Sequence, residues 1–248
     1  MTQPNSYYIA RVKADLNKLA TVEKAIASQR YFPAGIHCIG ANAADIKTII
    51  SILQVEHPNL SAQDWLAICE GVLAQAEYSE EVLVAFGLIN KFVKKSFDDS
   101  LLERFQFWLE NYASNWAHVD DLCIKTIYQF FLARPHLIPR TQHWTLSPSP
   151  WCRRASCVVW VKFIQRKIGK AVYCLDTALV FNNCDVLLND DDEFVQKGVG
   201  WLLKVTAQHH PQKVINYLES NIANMPRSTI RYAIEKLDPQ QRKAILSL

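Results

Sequence analysis

Three segments bring together side chains whose types and spacing could do chemistry. In Asn115-Trp116-Ala117-His118-Val119-Asp120-Asp121, an indole and a carboxylate stand four residues apart. A helix that has begun by Trp116 places both on one face, with Asp120 bordering the apolar residues Ile124 and Ile127 rather than opposing them. A carboxylate displayed beside an aromatic ring can serve a site. An acid in a first helical turn is also favoured by the helix dipole, whatever its role.

The second segment is Trp144-Thr145-Leu146-Ser147-Pro148-Ser149-Pro150-Trp151-Cys152-Arg153-Arg154. Two arginines at a helix start oppose the helix dipole, so something outside the helix should compensate them. Phosphate oxygens would do so through charge-assisted hydrogen bonds. The alternatives are a pairing with Asp120 or Asp121, or an arginine covering a neighbouring helix. The third segment places Lys197, Trp201, Lys204 and Gln208 along one stripe, opposite Phe194, Gly198, Leu202 and Val205. A tryptophan among lysines on a polar face is set for contact, or else is sheltered under the lysine stems. The adjacent His209 and His210 have no acidic or cysteine partner at ligand spacing and read as a solvated helix end, not a metal site.

The elements that must position these residues are helical. Apolar residues recur at helical spacing almost throughout. Ser79, Glu80 and Glu81 open a helix striped by Val82, Phe86, Ile89 and Val93. Residues 98–112 repeat the pattern with Leu101, Leu102, Phe105 and Leu109, and 117–133 with Val119, Leu122, Cys123, Ile127 and Phe130. Prolines 135, 139, 148 and 150 punctuate the next stretch, and a helix is expected from about Trp151 to Lys167. Asp190, Asp191 and Asp192 stand where an N-cap and first-turn acids belong, ahead of a helix to about Gln208. Pro211, Pro226 and Pro239 each begin a further helix.

Short helices with polar or proline-containing joints, at roughly 35–45 residues per pair, predict an all-α, HEAT-like helical-repeat array, an α-α superhelix with a concave basic groove. An irregular globular helical domain is the alternative. One domain is expected over 1–248, with 1–60 as N-terminal capping helices and 61–248 as the helix pairs.

Composition narrows the function. The 248 residues are 50% hydrophobic, with only seven scattered glycines and no Walker loop, GxGxxG, HExxH or GxSxG motif. No run of eighteen apolar residues and no N-terminal apolar h-region is present, so neither a membrane span nor a secretory signal is expected. The seven cysteines form no CxxC pair and have apolar neighbours, which points to buried thiols in a reducing, cytoplasmic setting. Charge is unevenly placed. Residues 1–110 hold ten Lys and Arg against thirteen Asp and Glu, whereas residues 111–248 hold seventeen against eleven. Between Asp121 and Asp176 no acid occurs, yet nine basic residues do: Lys125, Arg134, Arg140, Arg153, Arg154, Lys162, Arg166, Lys167 and Lys170. A polyanion is the commonest reason for such a field; chance fluctuation on a solvated face is the plainer one.

The three segments also resemble, in order and spacing over about residues 79–236, the AlkD-type family of HEAT-like DNA glycosylases. That family has a Trp-x-x-x-Asp helix start, matched by Trp116 and Asp120. It has a Trp-x-x-Arg-Ala segment after a Ser-containing turn, matched by Ser147 and Trp151-Cys152-Arg153-Arg154-Ala155. It has a Gln-Lys-x-x-Gly-Trp-x-Leu-Arg helix, closely matched by Gln196-Lys197-Gly198-Val199-Gly200-Trp201-Leu202-Leu203-Lys204. The last position is Lys204 rather than Arg, which keeps charge but loses the planar fork. Near the N-terminus, Cys38-Ile39-Gly40-Ala41-Asn42 stands where the family has a Gly-hydrophobic-x-x-Pro turn.

The resemblance implies hydrolysis of the N-glycosidic bond of cationic N3- or N7-alkylpurines in duplex DNA. It makes Asp120 the catalytic carboxylate, with Trp116 and Trp201 flanking the sugar. Arg154, Arg153, Lys204, Lys197 and Lys162 would hold DNA backbone phosphates. No metal, no cofactor and no membrane are implied, and a monomer is expected. Two rival readings are a non-catalytic DNA-binding relative and a helical-repeat scaffold for another protein.

Overall fold

A computed structural model describes residues 3–32 and 34–248. Its Cα packing divides into two compact units. The first holds the residues up to Ser100, with Tyr112–Ser114. It contains α1 (Asn5–Leu19), α2 (Val22–Gln29), α3 (Ala43–Glu56), α4 (Ala62–Ala74) and α5 (Ser79–Leu88). Local chemistry starts these helices where the sequence changes. Asn42 with Asp45, and Ser61 with Asp64, each form a capping box, which satisfies otherwise orphaned backbone N–H groups at both ends of the motif. α1 packs on α3, α4 and α5, and Val12, Leu16, Ile49, Leu53, Trp65 and Phe86 fill the interior.

The turn at residues 38–42 belongs to this unit and is built in an unexpected way. Buried Glu80 accepts hydrogen bonds from the backbone N–H groups of Ile39 (3.0 Å), Gly40 (2.9 Å) and Ala41 (3.2 Å). Gly40 adopts φ 99°, and a Cβ there would lie 2.3 Å from the Thr21 carbonyl oxygen. Only glycine fits such a place.

The second unit comprises Leu101–Asn111 and Asn115–Leu248. In chain order it holds α6 (Leu101–Asn111), α7 (Trp116–Asp121), a π-helical turn (Leu122–Ile127), α8 (Tyr128–Ala133), a 3-10 segment (Pro135–Leu146) and α9 (Pro150–Val158). A hairpin of β1 (Gln165–Ile168) and β2 (Ala171–Cys174) comes after α9. Next come α10 (Thr177–Leu187), α11 (Glu193–His209), α12 (Pro211–Asn221), α13 (Arg227–Ala233) and α14 (Pro239–Leu246). α9 and α11 form the centre: α11 packs on α9, α10, α12 and α13, while α9 also packs on α6, α7 and the 3-10 segment.

The fold is thus mostly helical, as expected, with three local corrections. The helix expected from Trp151 to Lys167 ends at Val158. Residues 155–161 are buried on every side, so this run lacks the polar face of a surface helix, and the Trp160 indole N–H is tied to Ile138 O and Thr141 Oγ1 at 2.9 Å. Beyond it the chain forms the antiparallel hairpin, turned by Gly169 at φ 60° ahead of Lys170, the pattern of a type II′ turn. Second, the helix expected over 117–133 is interrupted by the π-helical turn. Third, the cysteines are all free, but Cys174 is exposed and Cys38 half-buried rather than buried. Among the described residues no helix is long and apolar enough to cross a membrane.

Candidate active site

The candidate site lies wholly within the second unit. Asn115 starts α7: its side chain accepts hydrogen bonds from the N–H groups of Ala117 (2.9 Å) and His118 (3.1 Å). This cap makes Trp116 the first helical residue and sets Asp120 one turn further along the same face. Val119 and His118 are buried, whereas Trp116 and Asp120 are only partly covered. The face carrying the indole and the carboxylate is therefore the one that reaches solvent.

Asp120 is held by Arg154 of α9. The guanidinium Nε donates to one carboxylate oxygen and Nη2 to the other, both at 3.0 Å. Its remaining arm, Nη1, donates to the carbonyl of Phe194 at 2.6 Å. One buried arginine therefore joins α7, α9 and the first turn of α11. The Arg154 side chain is 6% exposed and that of Asp120 17%. Burial pushes the Asp120 carboxyl up from the ordinary aspartate value, and the Arg154 charge and hydrogen bonds pull it back. A fork using two N–H donors on two oxygens requires the carboxylate form. It also leaves acceptor capacity on both oxygens, since a carboxylate offers about four lone-pair sites.

Arg153 is a structural clamp. Nε and Nη2 reach the two oxygens of Asp190 at 2.6 and 3.3 Å, and Nη1 donates to the carbonyls of Ser147 and Pro148. The Ser147 hydroxyl in turn donates to Glu110 at 2.8 Å. The two arginines are thus compensated by protein carboxylates, Arg153 by Asp190 and Arg154 by Asp120. Arg153 and Arg154, expected from the sequence to meet DNA phosphates, each have a protein carboxylate as counter-charge, and the Arg154 side chain is almost wholly covered.

On α11, the Asp192 side chain caps the helix by accepting from Phe194 N (2.8 Å) and Val195 N (3.0 Å). Gly198 lets α11 approach α9, where a Cβ would meet Arg154 Cγ at 3.4 Å, and Gly200 faces Tyr232 of α13. Gln196 is buried. Its amide nitrogen donates to the carbonyls of Leu187, Leu188 and Asp190, and its oxygen accepts from Thr229. Trp201 emerges half-buried between these packed faces. Lys197, 52% exposed, pairs with Glu193 and lies over the Phe194 ring. Lys204 pairs with Glu235 at 3.2 Å and lies 4.2 Å over the Tyr232 ring. Lys162 is exposed; its ammonium donates to the Ile124 carbonyl at 2.9 Å and lies 4.5 Å over the Tyr128 ring.

Sequence reading placed Asp120 and Trp116 together, as they are, and named an Asp120–Arg154 pairing only as an alternative. It missed Asp190 as the counter-charge of Arg153 and Gln196 as the tie between α10, α11 and α13. The signal for Asp190 was the unfavourable pair of cations at a helix start, which required two nearby acids rather than one. Among the described residues no cluster of three or more His, Cys, Asp or Glu assembles in a way that could hold a metal ion.

The sequence model of the DNA alkylation repair enzyme family matches residues 12–237. Two solved structures share the fold. A protein described as a predicted DNA alkylation repair enzyme from Enterococcus faecalis superposes with a TM-score of 0.75 at 17% identity, covering 89% of this chain and 97% of that one. The Pseudomonas fluorescens alkylpurine DNA glycosylase AlkC, bound to DNA containing an abasic site analogue, superposes with a TM-score of 0.56 at 14% identity. That match covers 99% of this chain and 69% of the other. No curated protein matches by sequence.

Proposed function

As the chain belongs to the DNA alkylation repair enzyme family, we propose that it is a DNA glycosylase that hydrolyses the N-glycosidic bond of cationic N3- and N7-alkylpurines in duplex DNA. The observation that carries this reading is the oriented Asp120 carboxylate, gripped at both oxygens yet partly open to solvent, one turn from Trp116. The fold shared with an alkylpurine glycosylase that binds abasic DNA supports the same substrate class.

The chemistry needs little more than a fixed negative charge. An alkylated purine is already cationic, so it leaves as a neutral base when the bond from its nitrogen to C1′ breaks and the electron pair stays on nitrogen. Positive charge then moves onto the deoxyribose. Asp120 stabilises that charge and orients the water that attacks C1′ and gives up a proton. Its unfilled acceptor sites are the ones that act, because Arg154 occupies the others. Indole faces favour a developing cation, which is the role assigned to Trp116 and Trp201. Arg154 is a positioning residue: it keeps the carboxylate ionised and aimed. Lys197, Lys204 and Lys162 remain candidates for DNA phosphates.

A second reading, a DNA-binding relative without base excision, is favoured by one observation: both Asp120 oxygens already serve Arg154. Release of N7-methylguanine from methylated duplex DNA separates the two. The wild type releases the base, and Asp120→Asn cuts the rate by about 10²–10⁴ while duplex affinity stays within a few-fold. Salt-dependent duplex binding with no base release by the wild type would establish the second reading. Base release unchanged in Asp120→Asn would remove the carboxylate from the mechanism.

A further inference from the structure

The acid-free stretch between Asp121 and Asp176 contains one exposed element whose charges the candidate site does not use, the β1–β2 hairpin. Its register pairs Gln165 with Cys174, Arg166 with Tyr173, Lys167 with Val172 and Ile168 with Ala171. Side chains alternate across a strand, so Arg166, Ile168, Ala171 and Tyr173 share one face and Gln165, Lys167, Val172 and Cys174 the other. The first face docks. The Tyr173 ring stands edge-on to Phe163 with centroids 6.2 Å apart, and the Arg166 guanidinium lies 5.1 Å over the Tyr128 ring. The second face is exposed at all four positions, and Lys170 is exposed at the turn.

This hairpin is fastened to the helical run that carries Asp120. Lys162, three residues before β1, donates to the Ile124 carbonyl and shares the Tyr128 ring with Arg166. Trp116, Asp120, Ile124 and Tyr128 succeed one another at intervals of four. In an α-helix four residues overshoot one turn; in the wider π-helical turn they fall short of one. The π-helical turn at Leu122–Ile127 therefore offsets the drift of the α-helical residues before it and keeps this row nearly in line. The two acids that bound the stretch in sequence are engaged elsewhere: Asp121 with Lys125, and Asp176 at the start of α10, where it accepts from Ala178 N.

We infer that the β1–β2 hairpin is a second contact element for duplex DNA, with Lys167 and Lys170 engaging backbone phosphates beside the helical run that presents Asp120. The inference rests on the proposed DNA substrate and adds to it a binding element outside the three sequence motifs. A two-stranded ribbon is narrow enough to enter the major groove, and lysines on its outer face would set register on the duplex without reading bases.

The test is duplex binding by the full chain over a range of KCl concentrations, using unmodified DNA of mixed sequence. The double variant Lys167→Ala with Lys170→Ala should bind about tenfold more weakly at low salt, with the log–log salt slope reduced by about two, since each lost phosphate contact removes about 0.9. Lys170→Glu alone should shift affinity in the same direction. A control, Lys47→Ala with Lys243→Ala, changes net charge equally without touching the hairpin and should keep the wild-type slope. Equal losses in control and hairpin variants would overturn the proposal, as would wild-type affinity and slope in the hairpin variant. If that second result accompanies base release by the wild type, the hairpin assignment fails alone. If the wild type binds duplex but releases no base, the glycosylase reading fails while the hairpin is judged by its own slope. Absence of duplex binding at low salt overturns both.

Discussion

Arg154 meets Asp120 fork to fork, Nε and Nη2 each 3.0 Å from a separate carboxylate oxygen, while Nη1 reaches across to the Phe194 carbonyl. The same guanidinium therefore sets the charge state of Asp120, its direction, and the approach of α11 to α7 and α9. Two charges this well covered depend on each other, because removing one leaves the other desolvated and unpaired.

Arg154→Met tests that dependence. The methionine fills similar space but supplies no donor, so Asp120 and the Phe194 carbonyl both lose a partner. We expect a loss of about 3 kcal/mol in unfolding free energy, the lower part of the range for a broken buried pair, and a fall in base release. The slope of DNA affinity against salt should stay at the wild-type value if Asp120 and the Phe194 carbonyl are the partners that matter to this covered guanidinium. Denaturant unfolding beside salt-dependent binding checks both halves; a flattened salt slope would return Arg154 to the DNA surface.

The acid limb of the pH–rate profile tests the role proposed for Asp120. In the proposed mechanism the ionised form is the working one, so enzyme-dependent base release should fall as pH drops through the Asp120 pKa. Burial raises that pKa and Arg154 opposes the rise, which places the midpoint above the ordinary aspartate value of about 3.9. Arg154→Met removes only the opposing influence, so its midpoint should move to still higher pH. A merely structural arginine would lower the rate at every pH without moving the limb.

The helical class was legible because apolar periodicity over α5, α6 and α11 survives in a single chain, and because Asp192, Pro211 and Pro239 start helices by local chemistry alone. Trp116 and Asp120 were legible as a pair because four residues within one helix decide their common face. Three things were hidden. The roles of Arg153 and Arg154 depended on Asp190 and Asp120, more than thirty residues away in the chain, and a cation at a helix start looks the same whether phosphate or carboxylate answers it. The hairpin was masked because Val158-Val159-Trp160-Val161 suits either a buried helix or a buried strand; the Gly169-Lys170 turn before Ala171-Val172-Tyr173 was the usable sign. The turn at residues 38–42, which lacks the proline of the family pattern, is held instead by Glu80, a contact no short motif could reveal.

The two glycines on α11 should respond in opposite senses to alanine. At Gly198 the new Cβ meets Arg154 Cγ at 3.4 Å and Cys157 Cβ at 3.6 Å, ordinary contact distances. Alanine there gains helix propensity, up to about 1 kcal/mol. At Gly200 the Cβ would lie 3.1 Å from Tyr232 Cβ and 3.2 Å from the Thr229 carbonyl oxygen. Part of that obstacle is backbone, so α13 must shift and the Lys204 contact to Tyr232 with it. We expect Gly198→Ala to be neutral or stabilising and Gly200→Ala to cost about 1 kcal/mol after its propensity gain, since overpacking costs roughly 1–3 kcal/mol. Paired thermal melts decide this; equal effects would mean the helix contacts are looser than these distances.

Glu80 and Gly40 make the sharpest test of the first unit. Glu80 brings an acceptor-only group to three backbone N–H donors, those of Gly40 and Ala41 buried and that of Ile39 partly so. In Glu80→Gln one oxygen remains, able to serve Gly40 and Ala41, but the amide nitrogen then points a donor at the Ile39 N–H. The cost should be about 1 kcal/mol, the lower end of the penalty for a stranded donor, because the Ile39 N–H is only part-buried. Gly40→Ala faces both a φ of 99° and a carbonyl oxygen 2.3 Å from the new Cβ, so it should cost more than Glu80→Gln. Hydrogen exchange localises the effect. Amides 39–41 should lose protection in Glu80→Gln, while those of α9 and α11, in the other unit, should keep theirs. Uniform loss of protection through α9 and α11 would show that the turn at residues 38–42 supports more of the chain than its own unit.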